Sequence, residues 1–393
     1  MLQIIIKAVL LSMYTLILSH TSVNLHLQES RALVTNHLPE RLSERMPPGS
    51  QIVNYLPNRF ITVAAQNPVD NFYEISLFDK ECTLLWHIDR KFFENQDLPS
   101  WALLAYNIEI SDDAKYIQFY GKSESGCQAK SIIFIRKKQN NGYEKVATHL
   151  FCGVYAPSTD EQGRTYTAGH FPDADDSRCL EAVCFSAVSG DIVWRRMITS
   201  IGYSDPGKIN VSKNCDVIQI SYQIDLGKPC QTRNDWINNM TQGMTLLGRE
   251  GNILLNVTHM GIGGCIALTD DGQTSALSVN DTIYLYSSRD GGLLSQFKLM
   301  SDQKERHASV DGIAVSSDST MVAIIISYMN DEGRDKTNSQ LLICDIYGIE
   351  LCRMEMESSI SIHNMAFSDN NINLILEIIS GGQLLERKYQ IEK

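Results

Sequence analysis

Five side chains suited to ligand binding recur at nearly the same distance ahead of a repeated turn phrase. Each stands nine or ten residues before the Ser or Thr of one copy of the phrase: Trp101, His149, Tyr203, His259 and His307. Neutral imidazole is a common metal ligand, so histidines at matching positions of a repeat can converge on a metal ion or an anion. The chain has nine histidines, enough for such a coincidence. The spacing therefore predicts ligand contact at these five positions without assigning a metal.

A second group of candidates lies in the longest insertion of the repeat, residues 222–243. Trp236 stands there beside Arg233 and Asp235. Aromatic residues and Arg are enriched in protein contact surfaces, which predicts that this segment touches a partner. The alternative is a surface loop that Trp236 holds against the neighbouring strands.

Signatures of catalysis and of metal binding are missing from the sequence. It contains no Gly-x-Ser-x-Gly nucleophile motif and no Cys-x-x-Cys cluster. Residues 170–176 begin like a calcium loop but lack the Gly and the Glu required at its sixth and twelfth positions. The first-strand positions supply no obvious pair of acids. The sequence therefore predicts a protein that is not an enzyme and that holds no cofactor.

The repeat that carries these candidates sets the architecture. Its phrase reads apolar–x–apolar–Ser/Thr, then Asp, Asn or Gly, then a second apolar run. The anchor positions are Leu56, Ser111, Ser158, Ser212, Thr269, Ser316 and Ser368. They are 55, 47, 54, 57, 47 and 52 residues apart. Seven strand-rich units of about fifty residues predict an all-β fold, a seven-bladed β-propeller.

The sixth unit shows how four strands make a blade. Residues 312–315 lead into a turn at 316–319, where Ser and Asp side chains can bond the local backbone. A nearly continuous apolar run at 321–327 is typical of a strand buried on both faces. Strands at 341–346 and 349–354 flank Gly348, which supplies a positive φ without steric cost. The unit predicts a four-stranded antiparallel blade.

Two short patterns resemble those of known propellers. The phrases Ser189-Gly190-Asp191-Ile192-Val193-Trp194 and Leu84-Leu85-Trp86 resemble the Gly…Trp blade ending of quinoprotein-like propellers. The Ser-Asp-Asp turns resemble those of tryptophan-aspartate-repeat-like and Tol-type propellers. The resemblance covers residue 50 to the end and implies a superfamily rather than one family, since true Gly-His and Trp-Asp signatures are absent. It also implies an alternative function, a funnel-site enzyme or cofactor-binding protein of quinoprotein-like or metal-dependent type, although the adjacent cysteine pair of many quinoprotein enzymes is missing.

The last unit has only three predicted strands, since its third, 384–391, is followed by Lys393. An open blade would leave an unpaired strand edge, which is an aggregation liability. Residues 23–34 alternate in part and are the candidate to close the ring. The competing interpretation is a short helix over 28–45. The predicted organisation is an N-terminal segment at 23–49 and one propeller domain at 50–393.

Residues 1–22 have the pattern of a signal peptide. One lysine precedes an apolar run, and small residues follow it. The alternative is an uncleaved anchor, although a spanning helix usually needs about twenty apolar residues. Cleavage predicts a secreted, periplasmic or extracellular protein, and membrane contact is expected only if the segment stays attached.

The net charge of the chain limits the classes of partner that are expected. A formal net charge of −12 argues against nucleic acid, whose phosphates require clustered Lys and Arg.

In an exported protein some of the ten cysteines should be oxidised. Cys344 and Cys352 stand symmetrically about Gly348 and could face one another across a hairpin. The alternative for Cys184, Cys265 and Cys344 is that they are small buried hydrophobic residues.

The longer segments between predicted strands belong to two classes. Those between the second and third strands are 121–130, 170–179, 222–243 and 328–340, and those between units are 88–102, 197–208, 257–264 and 300–310. In an up-and-down blade both classes emerge on the same face, and function on a rigid scaffold usually lies in its long loops. The predicted function is non-catalytic binding of a protein or glycan through this long-loop face.

Overall fold

The structure, a computed structural model, describes a defined set of residues. They are 24–34, 51–56, 60–66, 73–79, 83–88, 91, 95, 107–110, 116–122, 129–137, 143–152, 158–160, 162–170, 179–186, 188–200, 203–227, 239–299, 308–329, 336–356, 361–368, 371, 373–380 and 383–392. Within this set, no helix has the length and hydropathy of a membrane span.

The described strands form seven four-stranded sheets, named I to VII here. Strand β1 (Asn24–Val34) belongs to sheet VII. Sheet I contains β2 (Gln51–Leu56), β3 (Phe60–Gln66), β4 (Tyr73–Asp79) and β5 (Leu84–Ile88). Sheet II contains β6 (Asn107–Ile110), β7 (Tyr116–Lys122), β8 (Ala129–Lys137) and β9 (Tyr143–Cys152). Sheet III contains β10 (Ser158–Thr159), β11 (Arg164–Gly169), β12 (Leu180–Ser186) and β13 (Ile192–Thr199).

The remaining sheets follow in chain order. Sheet IV contains β14 (Tyr203–Val211), β15 (Val217–Asp225), β16 (Met240–Gly248) and β17 (Ile253–Met260). Sheet V contains β18 (Gly263–Leu268), β19 (Thr274–Val279), β20 (Thr282–Ser287) and β21 (Leu293–Lys298). Sheet VI contains β22 (Ala308–Val315), β23 (Met321–Met329), β24 (Lys336–Asp345) and β25 (Glu350–Met356). Sheet VII contains β26 (Ser361–Phe367), β27 (Asn373–Ser380), β28 (Gln383–Glu392) and β1.

The sheets have an up-and-down antiparallel topology. In sheets I to VI each strand pairs with the next one along the chain, so the first strand is one edge and the fourth strand is the other. The first strands of consecutive sheets also contact one another, from β2 and β6 through to β22 and β26. The prediction of an all-β fold of four-stranded antiparallel sheets is confirmed, and the arrangement is like that of a propeller.

The repeated turn phrase is a hydrogen-bonded reversal between the first and second strands. In sheet VI the Ser316 hydroxyl donates to Asp318 (2.7 Å) and accepts from the backbone N–H of Met321 (2.9 Å). Ser319 then adopts a φ of 55°. Ser212 and Thr269 make the same pair of bonds in sheets IV and V. The phrase recurs because a side-chain oxygen at this position satisfies backbone groups that the reversal leaves unpaired.

Sheet III departs from the predicted phrase. Its first strand ends at Thr159, and Asp160 takes the position expected for Ser158. The carboxylate of Asp160 accepts from the backbone N–H of Arg164 (2.9 Å) and from the Tyr166 hydroxyl (2.8 Å). A carboxylate provides the acceptors that a hydroxyl provides elsewhere, which displaces the anchor by two residues.

The core lies between neighbouring sheets. On β23, Val322 packs between sheets V and VI, whereas the adjacent Ala323 packs between sheets VI and VII. Successive side chains of a strand point to opposite faces, so a strand between two sheets must be apolar at every position. This explains the continuous run predicted as a doubly buried strand.

The cysteines of sheet VI do not face one another. A bulge places Cys352 opposite Ile343 and leaves Cys344 opposite Glu350. Cys344 packs between sheets V and VI, and Cys352 packs on the opposite side of sheet VI. The expectation that the two face one another is therefore wrong, and the six cysteines whose side chains the structure describes are free thiols. Burial of Cys184 and Cys344 as small hydrophobic residues is confirmed.

Strand β1 pairs along β28. The antiparallel register runs from Asn24 opposite Glu392 to Val34 opposite Leu384, with two bulges. Residues 28–34 are therefore strand and not the start of a helix over 28–45. Leu25 packs against the core between sheets VI and VII, and Leu27 is exposed. The main-chain pairing anticipated for this segment is present.

Candidate functional site

The first strands surround a cavity of about 350 Å³. Its walls are three consecutive residues from each of four strands: 209–211 of β14, 266–268 of β18, 313–315 of β22 and 365–367 of β26. Ser158, Lys208, Asp270, Ser317 and Asn364 also line it. Its volume lies at the lower end of the range of about 300–1,000 Å³ typical of small-molecule pockets.

A β-bulge interrupts the first strand of several sheets. In each case the first strand has one residue more than its partner. The extra residue is Val53 in sheet I, Asp311 in sheet VI and His363 in sheet VII. In sheets IV and V the pairs Gly207–Lys208 and Gly264–Cys265 each stand opposite a single residue. Bulges are frequent next to functional sites because they redirect a side chain. Four of the five bulges contain a residue capable of acid–base, nucleophilic or metal chemistry, namely Lys208, Cys265, Asp311 and His363.

Buried serines of the second strands hold the bulges of sheets IV to VI. The Ser221 hydroxyl donates to the carbonyl oxygen of Lys208 (3.3 Å). The Ser278 hydroxyl accepts from the backbone N–H of Cys265 (3.1 Å). The Ser327 hydroxyl donates to the Asp311 carboxylate. The first two bonds satisfy main-chain groups at the interruption of the ladder, and the third fixes the Asp311 side chain.

Lys208 is the bulge residue that lines the cavity. The residue is exposed, and desolvation by the surrounding protein lowers its pKa. As an ammonium, this side chain offers three hydrogen-bond donors and no acceptor. Within the described part of the chain this ammonium forms no ion pair. The cavity-lining carboxylate of Asp270 instead pairs with Lys213 (2.5 Å).

The other two described bulge side chains are occupied by contacts within the fold. The Cys265 thiol donates to the carbonyl oxygen of Val310 (3.2 Å). Asp311 accepts from Ser327. In the described residues, no group of three or more His, Cys, Asp or Glu side chains is arranged to hold a metal ion. The arrangement suits charge-assisted binding of a ligand.

The predicted positions of His149 and His259 are wrong, because both residues lie on fourth strands rather than ahead of first strands. His149, on β9, donates through Nε2 to the carbonyl oxygen of Gly190 in sheet III (2.6 Å) and packs against Phe185. It links sheets II and III and does not line the cavity. Long fourth strands reach further along the chain than the sequence suggested.

His259, on β17, likewise links its own sheet, IV, to the next sheet, V. Its ring stacks on Tyr284 of sheet V with centroids 3.8 Å apart, and its Nε2 is 2.6 Å from the Tyr286 hydroxyl. Burial lowers the pKa of His259, which favours the neutral ring. Connections 197–208 and 257–264 are correspondingly short, since β13 ends at Thr199 before Tyr203 starts β14, and residues 261–262 join β17 to β18.

The other predicted contacts are mostly outside the described residues. Tyr203 begins β14, as expected for the start of a first strand. The positions outside the described residues are Trp101, Arg233, Asp235, Trp236 and His307.

Sequence reasoning missed the bulges, although a signal was present. Four or five residues before the Ser or Thr of the turn phrase, a Lys, Cys or Asp stands next to a glycine. The three instances are Gly207-Lys208, Gly264-Cys265 and Asp311-Gly312. Glycine inside a strand pattern suggests a bulge. Counting back from the anchor at a fixed offset assumes regular strands, and a bulge violates that assumption.

Comparison with known proteins identifies no family. No family model matches the chain, and no curated protein matches it. Among solved structures, hydrazine synthase of Kuenenia stuttgartiensis is 14% identical with a TM-score of 0.40, over 73% of this chain and 81% of that chain. A eukaryotic initiation factor is 8% identical with a TM-score of 0.38, over 76% of each chain. Likenesses this distant carry no argument about function.

Proposed function

We propose that sheets I to VII are the blades of a closed seven-bladed β-propeller and that the protein is a non-catalytic binding protein. In this proposal β1 completes the seventh blade. The partner is a protein that contacts the face carrying the long inter-strand segments. The observation that carries the proposal is the length of the connections between strands. On one face they are tight turns, and on the other face several are longer.

Contacts between consecutive sheets support the ring. The first strands touch in chain order from sheet I to sheet VII, and five of them, β10, β14, β18, β22 and β26, line one cavity. Strand β1 contacts β25 of sheet VI in addition to pairing with β28. A seventh blade completed by an N-terminal strand removes the unpaired edge that β28 would otherwise expose.

Tight reversals occupy one face. Those between first and second strands close through Ser212, Thr269 and Ser316. Those between third and fourth strands turn at glycines of positive φ, including Gly190 and Gly251. Such short turns expose little surface for recognition.

The opposite face carries the longer segments. It includes the chain between Asp225 and Met240 and the chain between Leu299 and Ala308. Residues 233–236 belong to the first of these segments. Longer connections on a rigid scaffold are the usual site of recognition, and the net charge of −12 favours a partner other than nucleic acid.

Export is part of this proposal. A cleaved signal peptide at residues 1–22 would place the propeller in a secreted, periplasmic or extracellular location. N-terminal sequencing of the mature protein tests it, because a chain that still begins at Met1 contradicts cleavage. The alternative, a funnel-site enzyme or cofactor protein, would be revealed by metal analysis and by a visible absorbance spectrum of the purified protein.

The partner test compares the full chain with two variants in capture from its own host. In the first, residues 228–238 are replaced by a short Gly-Ser linker, and in the second, Lys213→Glu alters the tight-turn face. The proposal predicts that the unaltered chain and K213E retain one protein partner and that the linker variant loses it. Retention by the linker variant contradicts the proposed face. Selective binding to glycans instead would replace the protein partner by a glycan.

A further inference from the structure

The cavity wall is built largely from main chain. Each of β14, β18, β22 and β26 contributes three consecutive residues to the wall. Successive side chains of a strand alternate between its faces, so three consecutive residues can line a cavity only if the edge of the strand faces it. The wall therefore presents strand edges rather than sheet faces.

These edges carry hydrogen-bonding groups outside the ladders. Each of the four strands is the first in its sheet and is paired along one side only. Main-chain N–H and C=O groups of an edge strand that point away from its partner remain available to a ligand or to water. Two wall carbonyls already accept from side-chain amides, that of Ile266 from Asn210 (3.3 Å) and that of Ala267 from Gln219 (2.9 Å). Such a wall suits a molecule rich in hydroxyl groups, which both donate and accept.

Among the described residues, Lys208 brings to this cavity a positive charge that forms no ion pair. The bulge in β14 places Lys208 at the wall, and Ser221 holds the bulge by bonding the Lys208 carbonyl oxygen. Asp270, the one acid among the described residues that line the cavity, is paired with Lys213. A single ammonium in a partly desolvated site favours a ligand with one negative charge, because a charge-assisted hydrogen bond is stronger there than in water.

We propose that the cavity binds a small organic acid with one carboxylate and several hydroxyl groups. Lys208 contacts the carboxylate, and the open edges of β14, β18, β22 and β26 contact the hydroxyls. This site is distinct from the long-loop face, and its existence does not depend on the identity of a protein partner.

Calorimetric titration of the full chain with sodium gluconate tests the proposal. Gluconate should bind at about millimolar concentration or below. Glucose lacks the charge and acetate lacks the hydroxyls, so each should bind at least about tenfold more weakly. Lys208→Gln should weaken gluconate binding by about tenfold or more, while Lys208→Arg retains most of it. The matched control is Lys298→Gln, since Lys298 is an exposed lysine at the end of β21 that pairs with Asp281.

Several outcomes overturn the proposal. Absence of gluconate binding at about 10 mM, or equal binding by K208Q and the unaltered chain, removes the site. If acetate binds as tightly as gluconate, the strand edges do not contact hydroxyl groups. If inorganic phosphate binds more tightly than gluconate, the ligand is not a hydroxylated carboxylic acid. The comparison of gluconate with glucose uses the unaltered chain, so the test remains decisive even if K208Q fails to fold.

Discussion

At the scale of single residues, hydroxyl groups close the reversals between first and second strands. Ser212, Thr269 and Ser316 are each 3% exposed or less, and each bonds both a backbone N–H and a side-chain oxygen two residues on. Their repetition reflects a local requirement of the turn. Buried hydroxyls of this kind matter to folding because they give a buried backbone N–H an acceptor where water is excluded.

Ser316→Ala should lower the free energy of unfolding by about 1–3 kcal/mol, because the buried N–H of Met321 loses its side-chain acceptor. Chemical denaturation measures the change. The matched control is Ser200→Ala, at an exposed serine after β13, which should stay within about 0.5 kcal/mol of the unaltered chain. Equal effects of the two substitutions would contradict a role for the turn hydroxyl.

The buried thiols should be chemically inert in the folded protein. Burial raises the pKa of Cys184 and of Cys344 to about 12. The thiolate is the reactive form, so both should resist alkylation at about pH 8 and react once the chain is denatured. Mass spectrometry of alkylated peptides measures this, with the half-buried Cys179 as internal comparison. A Cys344–Cys352 disulfide peptide, or fast labelling of Cys184, would contradict the structure.

At the scale of elements, neighbouring sheets meet where a fourth strand covers the next sheet's turn. Trp194 on β13 donates through Nε1 to the carbonyl oxygen of Arg249, and a Cβ on Gly251 would lie 2.7 Å from its ring. Phe297 on β21 covers Gly348 in the same way. Glycine at these turns therefore permits a positive φ and also leaves room for a side chain of the adjacent sheet. This gives a physical reason for the Gly…Trp pattern.

A comparison of Gly348→Ala with Gly227→Ala separates the cost of a positive φ from the cost of crowding a side chain of the adjacent sheet. Both glycines have positive φ, 83° and 66°, but a Cβ at Gly227 would meet open space whereas one at Gly348 would overlap Phe297. G227A should cost about 1–2 kcal/mol from φ alone. G348A should cost about 1–3 kcal/mol more from overpacking. Denaturant titration measures both, and equal losses would show that Phe297 does not constrain the turn.

At the scale of the whole molecule, the N-terminal strand joins the two ends of the described chain. Strand β1 is the outermost strand of sheet VII and reaches sheet VI through β25. Its loss would expose Leu385 and the edge of β28, and would remove Leu25 from the core. The stability of the proposed ring therefore depends on residues more than three hundred positions away from β28 in the chain.

Truncation to begin at Pro47 should lower the melting temperature and promote aggregation. Each lost backbone bond contributes only about 0.5–1.5 kcal/mol net, but a whole ladder is large against a typical stability of about 5–15 kcal/mol. Thermal denaturation and light scattering measure both effects. Removal of Met1–Thr21 is the control and should change neither, because β1 begins at Asn24. If the two truncations melt alike, β1 does not hold the last sheet.

The sequence by itself determined the elements whose causes are local. The turn phrase, the glycine reversals and the doubly apolar β23 depend on residues only a few positions apart, so the four-stranded antiparallel units could be predicted. Only the tertiary structure decided the strand register and the contacts between sheets. A one-residue bulge put Lys208 at the cavity wall and turned Cys352 away from Cys344, and neighbouring sheets gave His149 and His259 their partners. The candidate site was missed because register depends on strands far apart in the chain, and a shift of one residue reverses the face of every side chain that follows.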